Sequence, residues 1–205
     1  MGTFKGSSKR YCVGDNQLSV RGEDGEETII LSGISQDAAN APMLFGADLI
    51  NVPSDANGTV LITYMPDPCA TPGSVCGVGG PYNLENFAYS LRDGSLKPLK
   101  HYPGTGAPTW NAGIGGMKAI FIPDTCGGDG CVAAPLTGYN LDTDTASPLT
   151  SLGLAAGYTD GSTVQSANGT LLPVWQPLVH WKSDVDFTVQ VRQPDGTLKT
   201  VAGKF

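Results

Sequence analysis

Apolar and polar side chains alternate along this chain in short bursts, and no apolar stripe is sustained at helical spacing. Over 86–92, Phe87, Tyr89 and Leu91 alternate with Ala88, Ser90 and Arg92; over 186–192, Phe187, Val189 and Val191 alternate with Thr188, Gln190 and Arg192. A period of two places one set on each face of a half-buried antiparallel strand. Slipping the second strand by one residue would bury Arg192 and expose Phe187, whose burial is worth about 2–3 kcal/mol, so its register is firmly specified. Further strands are expected at 28–33, 59–65, 117–122 and 170–175, all rich in β-branched or aromatic residues and bounded by turn formers. Segments 35–48 and 148–158 read as short helical turns.

The pairs Asn57-Gly58, Asp93-Gly94, Asp160-Gly161, Asn168-Gly169 and Asp195-Gly196 mark tight turns, because these residues tolerate positive φ. Asn57 and Asn168 also begin Asn-Gly-Thr glycosylation patterns, although backbone geometry already accounts for both pairs. Repeated short strands with glycine- and proline-rich turns predict an all-β sandwich or barrel.

Composition agrees. The 205 residues include 28 Gly and 15 Pro, both helix breakers, and only 15% are charged. A net charge of −7 with 12 Lys plus Arg argues against nucleic-acid binding and against a polybasic membrane anchor. No apolar run approaches the ~20 residues of a spanning helix, so no membrane insertion is expected. Lys5, Lys9 and Arg10 are followed by no apolar signal-peptide core. The expected settings are extracellular, cell-surface or virion, with the chain a mature piece or a virion component.

Four of the five cysteines form two close pairs, Cys69/Cys76 and Cys126/Cys131, each in a Gly/Pro-rich stretch. Two disulfide-pinned loops are the simplest reading and imply an oxidising compartment. Free thiols remain open, as does zinc, whose usual ligand spacing neither pair matches. Cys12 is left over, free or bonded to another chain.

An internal repeat orders these elements. Ala56-Asn-Gly-Thr-Val-Leu61 matches Ala167-Asn-Gly-Thr-Leu-Leu172 at an offset of 111 residues. Phe87-Ala-Tyr-Ser-Leu91 matches Phe187-Thr-Val-Gln-Val191 at an offset of 100, and each runs on into Asp-Gly. One duplication, with the Cys69–Cys76 loop inserted in the first copy, accounts for both offsets. It predicts two domains, 1–100 and 101–205.

On Gly58-Thr59-Val60, Tyr64-Met-Pro66-Asp67 and Phe87-Ala-Tyr89-Ser-Leu91-Arg-Asp93-Gly94, with their second-copy matches, the chain resembles tandem bacterial Ig-like and cadherin-like repeats. The second copy departs by Trp175 and Val189. The resemblance implies two immunoglobulin-like antiparallel sandwiches in tandem and a structural or adhesive role with protein partners, as a homo-oligomer or larger assembly. It also implies calcium held by Asp142 and Asp144 of Asn140-Leu-Asp-Thr-Asp144, a spacing of carboxylates that suits a hard cation; no other cofactor is required. A second register competes. Phe121-Ile-Pro-Asp-Thr-Cys126 echoes Tyr64-Met-Pro-Asp-Pro-Cys69, and Tyr139-Asn-Leu141 echoes Tyr82-Asn-Leu84, at an offset of 57. That strand–Cys-loop–strand unit resembles propeller blades of type IV pilus-tip adhesins.

For catalysis the sequence offers little. His101 and His180 are the only histidines, and no nucleophile elbow, zinc helix or phosphate loop is present. No catalytic residue is assigned and no enzymatic activity is expected. A sugar-binding module is the alternative, with Trp110, Trp175 and Trp181, joined by Tyr102 and Tyr158, as its aromatic platform.

Overall fold

The computed structural model describes residues 2–3, 10–14, 17–32, 43–50, 52, 55, 57–65, 84–104, 107–113, 115–122, 126–127, 130–132, 134–152, 155–156, 163–165, 171–173, 178–192 and 197–205. Among them the protein is almost entirely strand, and the single helical segment is a 3-10 turn at Thr150–Leu152. The chain divides into two compact units, Met1–Lys100 and His101–Phe205.

The first unit contains β1 (Gly2–Thr3), β2 (Arg10–Gly14), β3 (Gln17–Arg21), β4 (Glu27–Ser32), β5 (Met43–Leu49), β6 (Thr59–Met65), β7 (Glu85–Ser90) and β8 (Leu96–Pro98). They form two antiparallel four-stranded sheets in consecutive order, β1-β2-β3-β4 and β5-β6-β7-β8. Alternation explains which faces meet. Leu18 and Val20 of β3 form one buried cluster with Val60 and Ile62 of β6, Tyr89 of β7 and Leu91 just beyond it. Phe87, Ala47, Leu49 and Ile30 border the cluster. The helical turn expected over 35–48 is corrected in its described part: Met43–Leu49 is a strand. Ala47 and Leu49, two apart, reach the core while the backbone pairs along β6, so tertiary pairing overrides local propensity.

The second unit contains β9 (Ala107–Gly113), β10 (Gly116–Ile122), β11 (Cys126–Gly127), β12 (Gly130–Val132), β13 (Ala134–Pro135), β14 (Thr137–Asn140), β15 (Thr145–Pro148), β16 (Ala155–Ala156), β17 (Thr163–Gln165), β18 (Leu171–Pro173), β19 (Leu178–Trp181), β20 (Asp186–Arg192) and β21 (Leu198–Lys204). Its larger sheets are β15-β14-β10-β9 and β19-β20-β21, both antiparallel. Ile120 and Ile122 of the first pack with Val179, Phe187 and Val189 of the second, with Leu136, Trp181 and Phe205 completing the core. Gly203 stands opposite Phe187, and a side chain there would meet the phenyl ring at 2.5 Å, so glycine leaves that ring its place. A small satellite sheet, β11-β12-β17-β18, is built from two excursions of the chain, and its β12–β17 contact is parallel.

Three sheets end in hairpins that carry a left-handed residue, and two of these share an Asx bond across it. In the β3–β4 turn, Asp24 Oδ1 accepts the Glu26 N–H at 3.0 Å and Gly25 has φ +82°. In the β7–β8 turn, Asp93 Oδ1 accepts the Ser95 N–H at 2.9 Å and Gly94 has φ +75°. In the β14–β15 turn, Thr143 and Thr145 hydroxyls bond at 2.8 Å and Asp144 takes the left-handed position at φ 52°. In the first two, an Asp acceptor followed by a positive-φ glycine reverses the chain with matching twist; the third shares the positive φ. The stretches matched in sequence at 56–61 and 167–172 have different partners where described: Thr59–Met65 pairs with Glu85–Ser90, whereas Leu171–Pro173 pairs with Thr163–Gln165.

Candidate functional site

The densest chemistry among the described residues lies on one face of sheet β15-β14-β10-β9. Ala119 sits between Trp110 on β9 and Tyr139 on β14 in the pairing register. Phe121, two residues along β10, shares that face. Alanine at the centre leaves room for rings from both sides. Tyr102 closes over them: it stacks on Trp110 at 6.5 Å between centroids with 6° between planes. It meets Phe121 edge-on at 5.1 Å and Tyr139 at 5.4 Å. Trp110 and Tyr102 are half-buried, Phe121 and Tyr139 fully buried. Edge-to-face contacts of this kind add about 0.5–1.5 kcal/mol each beyond burial.

Asp144 ties the cluster. Its Oδ1 accepts the Tyr139 hydroxyl at 2.8 Å and the His101 backbone N–H at 3.1 Å; its Oδ2 lies 3.2 Å from His101 Nδ1. The carboxylate is 14% exposed and the imidazole 68%. Burial first, then the hydrogen bond and negative charge of Asp144, hold the Tyr139 hydroxyl well above the usual phenol range. Asp142, the other expected calcium ligand, is exposed on the same turn, and its backbone N–H donates to Asn140 Oδ1. Among the described residues no group of three or more His, Cys, Asp or Glu side chains lies close enough to hold a metal ion.

The expected aromatic platform is divided. Trp181 packs against Phe187 and Phe205, and its indole N–H donates to the Thr109 carbonyl at 3.0 Å. It belongs to the core under Ile120 and Ile122, whereas Trp110 shares the opposite face with Ala119 and Phe121. Trp175 and Tyr158 lie outside the described residues, as do Cys69 and Cys76. Cys126 and Cys131 are direct partners across β11 and β12, and Cys12 stands opposite Ser19. His180 is exposed on β19.

Nothing in the sequence marks Phe121, Tyr139 and His101 as members of one cluster. The available signal was the alternation of Met117, Ala119 and Phe121, but it does not say which strands flank β10. Lys118 is likewise unforeseen. It is buried, donates to the Asp184 carbonyl at 3.2 Å, and lies 5.4 Å from the Phe205 ring centroid. With Asn111 donating to the Ser183 carbonyl at 3.0 Å, it fastens the β9–β10 hairpin to the β19–β20 turn.

These features define an all-β protein of small antiparallel sheets whose buried polar groups tie turns and hairpins together. No protein-family model matches the sequence, and no curated protein matches it.

Proposed function

We propose that this chain is a non-enzymatic structural or adhesive component of an extracellular assembly, such as a surface adhesin, filament or virion decoration, with protein chains as its partners. The observation that carries the reading is the recurrence of a sheet-ending hairpin with a left-handed second residue, at Asp24-Gly25, Asp93-Gly94 and Thr143-Asp144. In sequence alone, Val191-Arg192-Gln-Pro-Asp195-Gly196 parallels Val20-Arg21-Gly-Glu-Asp24-Gly25. A chain that closes its sheets with one recurring solvent-facing turn leaves recognition to its other loops and edge strands. Light scattering at micromolar concentrations tests this, with particles heavier than one chain expected. A single chain at every concentration, with no retention on cells or polysaccharide, would defeat it.

The finer architecture has two forms. Tandem immunoglobulin-like sandwiches require strands that cross between sheets in Greek-key order. Blade-like sheets, as in the pilus-tip resemblance, are consecutive four-stranded meanders. The consecutive orders β1-β2-β3-β4 and β5-β6-β7-β8 favour the blade form. Small-angle scattering separates the two, since a compact 205-residue array has a radius of gyration of about 17 Å and two separated sandwiches about 22 Å.

A further inference from the structure

We infer that Cys126 and Cys131 form a cross-strand cystine that staples the satellite sheet. Backbone register sets the two cysteines opposite each other. Gly127 and Gly130 are partners, as are Cys126 and Cys131, and only residues 128 and 129 join the strands. In a two-residue hairpin the closing pair exchanges both backbone hydrogen bonds, so the next pair out is the non-hydrogen-bonded kind. Partners of that kind have Cα atoms about 4.5 Å apart, within the roughly 4.4–6.8 Å that a disulfide spans. The turn sequence Gly127-Gly-Asp-Gly130 suits such a hairpin, since glycine supplies the positive φ it requires.

The position gives the bond a purpose. β11 and β12 are only two and three residues long, and β12 adds to β17 by a parallel contact with Cys131 opposite Val164. A hairpin this short closes few hydrogen bonds and is marginal alone. A cystine holding it shut presents β12 as a fixed edge on which β17 and then β18 assemble. Forming it removes two protons and two electrons from the two thiols. A donor disulfide, protein-borne or glutathione, takes the electrons through a mixed disulfide and leaves as two thiols.

The inference is independent of the proposed assembly role. The full-length protein is equilibrated with oxidised glutathione, alkylated without reductant, digested with trypsin and weighed. Trypsin separates Cys12, the pair Cys69/Cys76, and the pair Cys126/Cys131 into three peptides, the last spanning 119–182. The expected result is an unalkylated 119–182 peptide, lighter than its reduced form by two hydrogens. Two alkyl groups on it, or its linkage to another peptide, would overturn the pairing. Hydrogen exchange tests the stapling: amides of Gly130–Val132 and Thr163–Gln165 should exchange at least about tenfold faster after reduction, and equal rates in the two forms would overturn that role. Reduced thiols here would leave the assembly reading standing, since that rests on the hairpins.

Discussion

Replacing Asp144 by glycine sets two opposed effects against each other. Asp144 occupies φ 52°, where a β-carbon is disfavoured, and glycine would relieve about 1 kcal/mol. Against this stands a carboxylate 14% exposed that accepts the hydroxyl of fully buried Tyr139 at 2.8 Å and the His101 N–H at 3.1 Å. A hydrogen bond to a charged group is worth about 1.5–3 kcal/mol, and removing the acceptor strands the Tyr139 hydroxyl in the interior. The imidazole contact adds little, because the ring is mostly solvated. The loss wins, and Asp144→Gly is expected to destabilise the protein by about 1–2 kcal/mol. Asp144→Asn keeps an oxygen acceptor and tolerates the backbone, so it should cost about half as much. Urea unfolding followed by near-ultraviolet circular dichroism reports on the neighbouring Trp110 and Tyr139 rings. Calcium should leave the urea midpoint unchanged, both carboxylate oxygens being engaged by protein groups. An Asp144→Gly variant as stable as the parent would refute the reasoning, since relief of strain would then outweigh the bonds.

Other outcomes follow from the same geometry. Backbone and hydroxyl bonds from Ser95, then the Ser90 hydroxyl, hold Asp93 down at about 2; its folded value lies below its unfolded one, so its contribution is present above about pH 4 and lost as pH falls towards 2. Asp93→Asn should flatten the stability–pH curve in that window, and carboxyl NMR should place the Asp93 midpoint there. Tyr139 is shifted the other way, so its contribution is whole below about pH 10 and lost at higher pH; a phenolate absorbance titration should show one tyrosine ionising only as the protein unfolds. Gly203→Ala drives a β-carbon to 2.5 Å from the Phe187 ring and should cost about 1–3 kcal/mol. Gly25→Ala, at φ +82° with open space around it, should cost only about 1 kcal/mol in the same urea assay. Lys118→Met removes a buried ammonium without loss of volume and should leave stability within about 1 kcal/mol or raise it; a loss above about 2 kcal/mol would show that the Asp184 and Phe205 contacts carry net stability.

What the sequence disclosed was local. Phe187 and Val189 reach the core as their alternation requires, and Tyr89 and Leu91 do the same in the first unit. The Asp93-Gly94 turn adopts its positive φ at glycine. The parts that stayed hidden depend on partners distant in the chain. β9, with Pro108 and Gly113, has poor strand propensity and is a strand because β10 pairs with its whole length. The parallel β12–β17 contact joins segments about thirty residues apart that carry no shared pattern. Asp144 was read as half of an alternating carboxylate pair, yet structurally it takes the place that glycine holds in the other two turns. Trp110 and Trp181 look alike in sequence, but the register of β9 on β10 places Trp110 beside Ala119, while pairing of β19 with β20 carries Trp181 into the core on the other face.

Both cysteine-bearing stretches leave their sheets at the same point. The first departs after β6 and returns at β7, and the second departs after β10 and returns at β14. In each case these are the second and third strands to enter the sheet, and the hairpin that ends the sheet follows directly. Insertion there is physically cheap, because loop-closure entropy rises only slowly with length and the flanking strands are held by pairing on both sides. The hairpin turns themselves tolerate no such growth, since their Asx bonds and left-handed residues fix the connection to a few positions. Lengthening the connection is therefore cheaper between the second and third strands of a sheet than at its closing hairpin.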